Sequence, residues 1–585
     1  MKATAARERI WKLKNSRSDL SSVLSQSLNV SSFTALILLQ RGIENAEKAK
    51  PFLECRLKDL GDPFLFEGMD QAVKRIFQAV DRGEKILVHG DYDVDGITGT
   101  ALLCELFQRM GLQAQPYIPD RVSEGYGISR EAIDRASKEG VRLMITVDCG
   151  GSAFDELEEA RQKGLDVIVV DHHELKESLP NCVAVLHPRR VPENVEVQSL
   201  AAVGVAFKLA HGVIKEGLRQ GRQWAPLIDL RDFLDRVAIG TIADLVPLRG
   251  ENKIFVKRGL ERLLKTECVG LAALLKEIGI SERALTSSDI AFKIAPRLNA
   301  AGRVGTAYDA IRLLLCKDSS EALVLAKGLD HNNRQRQLIE QNTFDEALQF
   351  LEEQSDSDQD WVLVLHKDQW PLGVIGIVAS RIVKLRHRPT FIISADDDVS
   401  KGSARSIHGF HLCHALKNCE DLLVGYGGHA CAAGIKIKKE KIPDFRKRLN
   451  EYARQILSEN DLIPTLEIDL EIPIGELSLK LVNELEMLSP FGQENPTPLF
   501  LSQDLVLDRK PQVVGNKHLK LWLKKESAPA IEGIAFGMAE WFPQFESYSE
   551  PFQAVYEIGI NTYGGQSKLQ LNFKDFKLNN ESQSF

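Results

Sequence analysis

His89, Asp91, Asp93 and Asp95 crowd into one short segment, HGDYDVDG. Further along stand Asp148 in VDCGG, Asp171, His172 and His173 in VDHHE, and Asp244 in IADLVPL. Carboxylates and imidazoles are ligands for divalent cations. An all-oxygen set favours magnesium or calcium, and the histidines tilt the choice toward manganese. So many acids at one place would repel and raise each other's pKa, and a pair of divalent cations removes that problem. Two such ions about 4 Å apart activate a water and stabilise the leaving oxygen of a phosphoryl displacement. Taken singly, an aspartate after a strand is as readily the N-cap of the next helix. The HGDYDVDG run alone also suits a calcium loop.

The surrounding pattern brings these residues together. DQAVKRIFQAVDRGE has helical periodicity and KILVHG is an apolar strand. Helices at GTALLCELFQRMG, SREAIDRASKEG and FDELEEARQKG then alternate with strands at AQPYIPD, RLMITVD and LDVIVVD. Strands alternating with helices over short connections predict an α/β fold, a parallel sheet with helices on both faces. The near-continuous apolar character of the strands agrees, because both faces of such a sheet are buried. Ligands gather at the C-terminal strand edge in these folds. His89 to Asp95, Asp148, and Asp171 to His173 follow three such strands.

Beyond about residue 200 the pattern turns helical, with a long polar helix predicted near 308–355 that ends in the acidic run EEQSDSDQD. A second alternating region starts at WVLVLH and runs to about 455. From about 465, short strands with polar turns predict a small β-barrel or sandwich.

A chain of 585 residues exceeds one ordinary core. With 44% hydrophobic and 27% charged residues it has a globular balance. It contains no run of 18 apolar residues, so no transmembrane helix is expected. No apolar stretch follows the basic N-terminus, so no secretory signal is expected either. Nine scattered cysteines without a CxxC predict reduced thiols, as in a cytoplasmic protein. Cys149 lacks an activating pattern and reads as a plain thiol. The net charge of −8 is unlike many nucleic-acid binders, but it hides local patches, and bound cations neutralise metal-site acids.

HGDYDVDG, DCGG, DHH and the later aspartate resemble the four motifs of the DHH phosphoesterases. HGDYDVDGITG, VDHHE, AIGTIADLVPL, APRLNAAGRVG, WPLGVIGIVASRIV, GSARSIHGF, GYGGHACAAG and SPFGQENPTPLF resemble the RecJ single-strand-specific DNA exonucleases, from about residue 70 to 575. One departure is CGGSAF after Asp148, where the family usually carries an NGI- or CGI-like turn. The resemblance implies metal ligation by His89, Asp93, Asp95, Asp148, His172 and Asp244, with Asp148 bridging two ions. It implies that His173 faces the scissile phosphate. Asp91 and Asp171 would orient ligands from behind.

The resemblance also implies a five-part organisation. Residues 1–70 would pack on a DHH catalytic domain at 71–310. A helical linker at 311–358 would lead to a second α/β, substrate-binding domain at 359–458, and an OB-like single-strand-binding domain would occupy 459–585. Arg gives a forked contact to phosphate and glycine lets backbone approach it. Arg121, Arg297, Arg303, Ser403, Arg405, Ser406, Gly428 and His429 are therefore expected to hold substrate. For each arginine a structural salt bridge is the competing role. In the OB-like domain, Lys517, His518, Lys520 and Trp522 are expected at a single strand, with Trp522 in the barrel core as the alternative.

The expected function is a 5'-to-3' exonuclease on single-stranded DNA, releasing mononucleotides with two manganese or magnesium ions. It would act in DNA repair and recombination, as a monomer beside a helicase and a single-strand-binding protein. Three other activities fit parts of this pattern. A phosphodiesterase on short oligonucleotides or cyclic dinucleotides would be shorter and lack the barrel. A non-catalytic DHH replication scaffold would have lost ligands. An inorganic pyrophosphatase would not need a polymer-binding barrel.

Overall fold

Four parallel strands and a short fifth form the sheet that underlies the aspartate segments. The helix α1 (Met69–Arg82) precedes β1 (Ile86–Gly90), α2 (Val94–Arg109), β2 (Ala114–Tyr117) and α3 (Arg130–Lys138). Then follow β3 (Leu143–Val147), α4 (Phe154–Gln162), β4 (Asp166–Val170) and β5 (Ala184–Leu186). The order is β2-β1-β3-β4-β5, parallel throughout. β1 and β3 are buried along their whole length, which explains why they read as unbroken apolar runs rather than alternating ones. Packed across the sheet region are α5 (Ala202–Arg219) and α6 (Leu234–Ala243), both in contact with α2.

This computed structural model describes residues 9–15, 18–121, 123–125, 127–192, 196–280, 284–353, 359–395, 399–524, 530–563 and 566–579. Residues 354–358, in the acidic run expected to end the linker, lie outside them.

The chain divides into two compact units. One comprises Leu60–Val246 and Ile254–Ile463. Besides the parallel sheet it holds the 35-residue helix α7 (Ser319–Glu353). A second sheet is made from β6 (Leu363–Lys367), β7 (Thr390–Ser394), β8 (Ser400–Arg405), β9 (Leu423–Gly428) and β10 (Ala432–Ile437). Its order is β9-β10-β8-β7-β6, and only β6 and β7 pair in parallel. The helix α8 (Leu372–Arg386) packs on it, with Val374, Val378 and Ile382 buried.

The other unit comprises Met1–Asp59, Pro247–Lys253 and Pro464–Phe585. It contains a seven-stranded, largely antiparallel sheet. Among its strands are β11 (Phe500–Leu505), β12 (His518–Leu523), β13 (Ile531–Ala535), β14 (Phe552–Tyr563) and β15 (Gln566–Leu578). Leu24, Ile37 and Leu38 share its core with Phe500, Leu521 and Phe552. Glu484 accepts from the Ser31 N–H at 2.7 Å and the Thr34 hydroxyl at 2.9 Å, and Trp11 Nε1 donates to Asp575 at 2.8 Å. Of the residues 1–70 expected to pack on the catalytic domain, those from Leu60 onward fall in the unit with the parallel sheet. Leu24, Ile37 and Leu38 complete the C-terminal core, because their side chains find partners over 400 residues away in sequence.

Candidate active site

Each aspartate segment leaves a strand and turns immediately. The Asp91 N–H donates to Val147 O, carrying the chain past the sheet edge. Asp93 is the N-cap of α2: its Oδ1 accepts from the Asp95 and Gly96 N–H groups at 2.9 and 3.1 Å. At Gly96 a Cβ would stand 2.5 Å from Asp91 O, so only glycine lets the helix start this close to Asp91. Asp95 accepts from the N–H groups of Ala202 and Val203 at 2.7 and 2.8 Å. It thereby caps α5, whose own N-cap residue, Ala201, has no side chain to give.

Asp148 follows β3 in a left-handed conformation, φ +65°, sparsely populated for a residue with a Cβ. Such strain marks sites where geometry serves function. Asp171 ends β4 and orders the two histidines after it. Its Oδ1 accepts from the His172 and His173 N–H groups and lies 2.9 Å from His173 Nδ1, while Oδ2 accepts from Gly151 N–H. Asp244 closes the C-terminal end of α6.

These side chains converge. His172 Nε2 lies 3.2 Å from Asp148 Oδ1, 3.5 Å from Asp244 Oδ2 and 3.9 Å from Asp95 Oδ2. It is buried and has hydrogen-bond geometry to none of them. Asp91 Oδ1 is likewise buried without a hydrogen-bond partner. Three sets of potential ligand atoms each lie within 4.8 Å of one another: Asp148–His172–His173, Asp95–His172–Asp244 and Asp91–Asp93–Asp148. Oxygen and imidazole donors converging without satisfying each other fit a pair of divalent ions.

The electrostatics agree. Burial, then neighbouring Asp93, push Asp91 up to about 8 and Asp95 to about 7. Burial, then Asp95 and Asp93, push Asp244 to about 9. Asp148 rises well above the carboxylate range through burial and four surrounding aspartates. Burial would raise Asp171 too, but its bond to His173 holds it down at about 2. Burial would lower His173, but Asp171 raises it overall. Burial, then His173, lower His172 to about 4, leaving a neutral ring able to act as a ligand.

Among the described residues His89, expected as a ligand, belongs to none of these three sets. It is fully buried, and its Nε2 accepts from the Ser129 N–H at 3.2 Å. Its Nδ1 faces Cys149 Sγ at 3.7 Å. Asp91, expected behind the ligands, shares one of these sets with Asp93 and Asp148.

The candidate phosphate contacts divide. Arg303, half-buried, donates to Gly373 O at 2.8 Å. Burial, then Arg121, Arg336 and Arg405, lower it to about 10. Arg405 donates to Ala404 O and Ser403 Oγ. The Arg121 guanidinium lies 5.0 Å from the Tyr92 ring centroid. The first turns of α8 press on this cluster: a Cβ at Gly376 would be 2.9 Å from Ser403 Oγ. Arg336, on α7, is a member that the sequence reading missed, since it stands outside every motif.

Other expected contacts are committed elsewhere. Arg297 is tied to Asp330 at 2.8 Å and to Lys293 O, the salt bridge considered as its competing role. Ser406 Oγ donates to Phe410 O. Gly428 has φ +145° and a Cβ there would meet Ala432 O at 2.4 Å, so the β9–β10 turn itself requires glycine. His429 is exposed at that turn. In the other unit, Leu519, Leu521 and Leu523 of β12 face the core, while His518, Lys520 and Trp522 alternate onto the outer face. Arg509 and Lys520 lie 5.3 and 5.1 Å from the Trp522 ring, so Trp522 is not a core residue. His518 packs edge-on to the exposed Phe536 at 5.1 Å, and Lys517 lies next to it in sequence.

Three family models match: "DHH family, N-terminal domain" over residues 85–241, "DHHA1 domain" over 359–455, and "RecJ OB domain" over 468–575. The Single-stranded-DNA-specific exonuclease RecJ of Bacillus subtilis is 39% identical over 97% of this chain and 70% of its own length. The chain belongs to the RecJ family. RecJ of Thermus thermophilus, solved in complex with manganese(II), covers 98% of this RecJ-family chain and 80% of its own, with 30% identity and a TM-score of 0.83. Its magnesium complex matches with 29% identity and a TM-score of 0.77, over 98% of this chain and 79% of its own. The mixed α/β architecture, with a parallel sheet and a C-terminal OB domain, is thus that of RecJ.

Proposed function

We propose that this chain is a single-stranded-DNA-specific exonuclease that hydrolyses phosphodiester bonds from the 5' end and releases mononucleotides. The convergence of three carboxylates on the neutral His172 Nε2, beside a half-buried arginine cluster, carries the reading. The metal-bound RecJ structures support it. In this reading Asp91, Asp93, Asp95, Asp148, His172 and Asp244 hold two divalent ions, manganese or magnesium. Bound there, the ions supply an activated water and charge neutralisation at the phosphoryl oxygens.

The remaining steps belong to the chain. Asp171 holds His173 by Nδ1 and raises its pKa, orienting the ring so that its other nitrogen faces the scissile phosphate. Arg121, Arg303, Ser403 and Arg405 hold a terminal phosphate and set polarity. Residues 71–310 form the catalytic domain, 359–458 the substrate-binding domain and 459–585 the single-strand-binding domain. On the outer face of β12, Trp522 stacks a base while Lys517 and Lys520 meet the backbone. The enzyme acts as a cytoplasmic monomer in repair and recombination, on strands exposed by a helicase and covered by a single-strand-binding protein.

End-labelled digestion of single- and double-stranded DNA and RNA, with each metal supplied, tests this. The expected result is mononucleotides from the 5' end of single-stranded DNA only. Cleavage of duplex at an equal rate contradicts it.

A further inference from the structure

His89 sits at the base of the loop that carries Arg121. Nε2 of His89 accepts from the Ser129 N–H, so the ring proton resides on Nδ1, which points at Cys149 Sγ. Both nitrogens are thereby engaged, and among the described residues His89 enters no carboxylate–imidazole cluster. Its ring stacks on Tyr117, with centroids 5.2 Å apart. Tyr117 in turn donates to Glu124 Oε2 at 2.7 Å. Glu124 Oε1 accepts from the Asp120 N–H at 2.8 Å, and the Glu124 and Gly125 N–H groups donate to Asp120 O. Ser129 caps α3 through its hydroxyl. One buried imidazole therefore grips the far end of the Asp120–Ser129 segment by hydrogen bond and braces the near end by stacking. Arg121 emerges between them, its guanidinium laid over Tyr92 in the HGDYDVDG segment.

We propose that His89 is a positioning residue: it anchors the Arg121 loop and so aims that guanidinium at the substrate phosphate, rather than ligating a metal. This rests on the reading above that Arg121 touches substrate. Replacing the imidazole by an apolar side chain strands the Ser129 N–H and loosens the loop. It leaves the metal-ligand atoms where they are.

The test uses the full chain in five forms: wild type, His89→Leu, His89→Gln, Arg121→Ala and the double variant His89→Leu/Arg121→Ala. Manganese(II) is titrated into each EDTA-stripped protein and followed by electron paramagnetic resonance. KM and kcat are measured on a 5'-phosphorylated oligonucleotide. His89→Leu is expected to bind manganese with the wild-type stoichiometry and midpoint, to raise KM about tenfold and to change kcat less than about twofold. His89→Gln, which keeps an acceptor for Ser129, restores KM. The double variant His89→Leu/Arg121→Ala has the KM of Arg121→Ala alone, because both changes disable one contact. Loss of a manganese ion in His89→Leu overturns the proposal, as does an additive double variant. A silent Arg121→Ala sinks the substrate role of Arg121 itself, and the anchoring role with it, whereas the manganese titration decides ligation independently. Should His89→Leu fail to fold, His89→Gln with reduced manganese binding still refutes the assignment.

Discussion

His172 Nε2 and Asp148 Oδ1 lie 3.2 Å apart, buried and without a hydrogen bond from that nitrogen. Asp244 Oδ2 approaches the same nitrogen at 3.5 Å. Neutral imidazole and crowded carboxyls form a donor set that divalent cations would satisfy.

The pH dependence of stability follows. Asp95, Asp91 and Asp244 are held at about 7, 8 and 9 in the fold, against about 4 for an exposed carboxyl. The metal-free fold therefore binds protons that the unfolded chain has released. That contribution is fully present below about pH 4 and is lost as pH rises through 7 to 9. In EDTA, the melting temperature should fall between pH 6.5 and 9. With saturating manganese the fall should flatten, because bound cations favour the ionised acids. Differential scanning calorimetry checks both. A metal-free midpoint that rises over this range contradicts the account.

Arg405 should matter through the end of the strand. With Arg303 and Arg121 nearby and Ser403 as a hydrogen-bond partner, it fits a terminal phosphate. Arg405→Ala should weaken 5'-phosphorylated substrates by about tenfold more than 5'-hydroxyl ones. Competition between the two oligonucleotides measures this. Equal losses argue against a 5'-phosphate pocket.

The helices behind the site are locked by a buried pair. Arg236 on α6 meets Glu105 on α2 at 2.5 Å, both almost wholly buried. α2 brings Asp95 and α6 ends at Asp244, so the pair ties two parts of the acid cluster. Arg236→Met leaves Glu105 buried with Arg109 as its remaining close partner at 2.6 Å. It should cost about 3 kcal/mol of stability. An unchanged denaturation midpoint would show the pair to be dispensable.

The parallel sheet and its edge were legible in the sequence because each strand is an apolar run ending in a polar turn. Asp148, Asp171 and His172 inherit their meeting point from that topology, and Asp244 joins them from the end of α6. His89 and Asp91 were not separable in this way. The family resemblance assigned His89 to the metals, and only the path of the chain shows its nitrogens turned to Ser129 and Cys149. Arg336 escaped notice because a lone arginine on a long polar helix carries no local signal. The association of Trp11, Leu24 and Leu38 with the C-terminal sheet was illegible for a related reason. Contacts such as Trp11 to Asp575 span nearly the whole chain, and periodicity reports only neighbours.

The most direct test of the two-ion site is Asp148→Ala. Asp148 shares one set with Asp91 and Asp93 and another with His172 and His173. Manganese should be titrated into the wild-type and variant chains while single-strand cleavage is followed. The account predicts about two ions per wild-type chain, weakened binding in Asp148→Ala, and cleavage reduced by at least about a thousandfold with the fold retained. An Asp148→Ala chain that binds two ions and cleaves at the wild-type rate would contradict it.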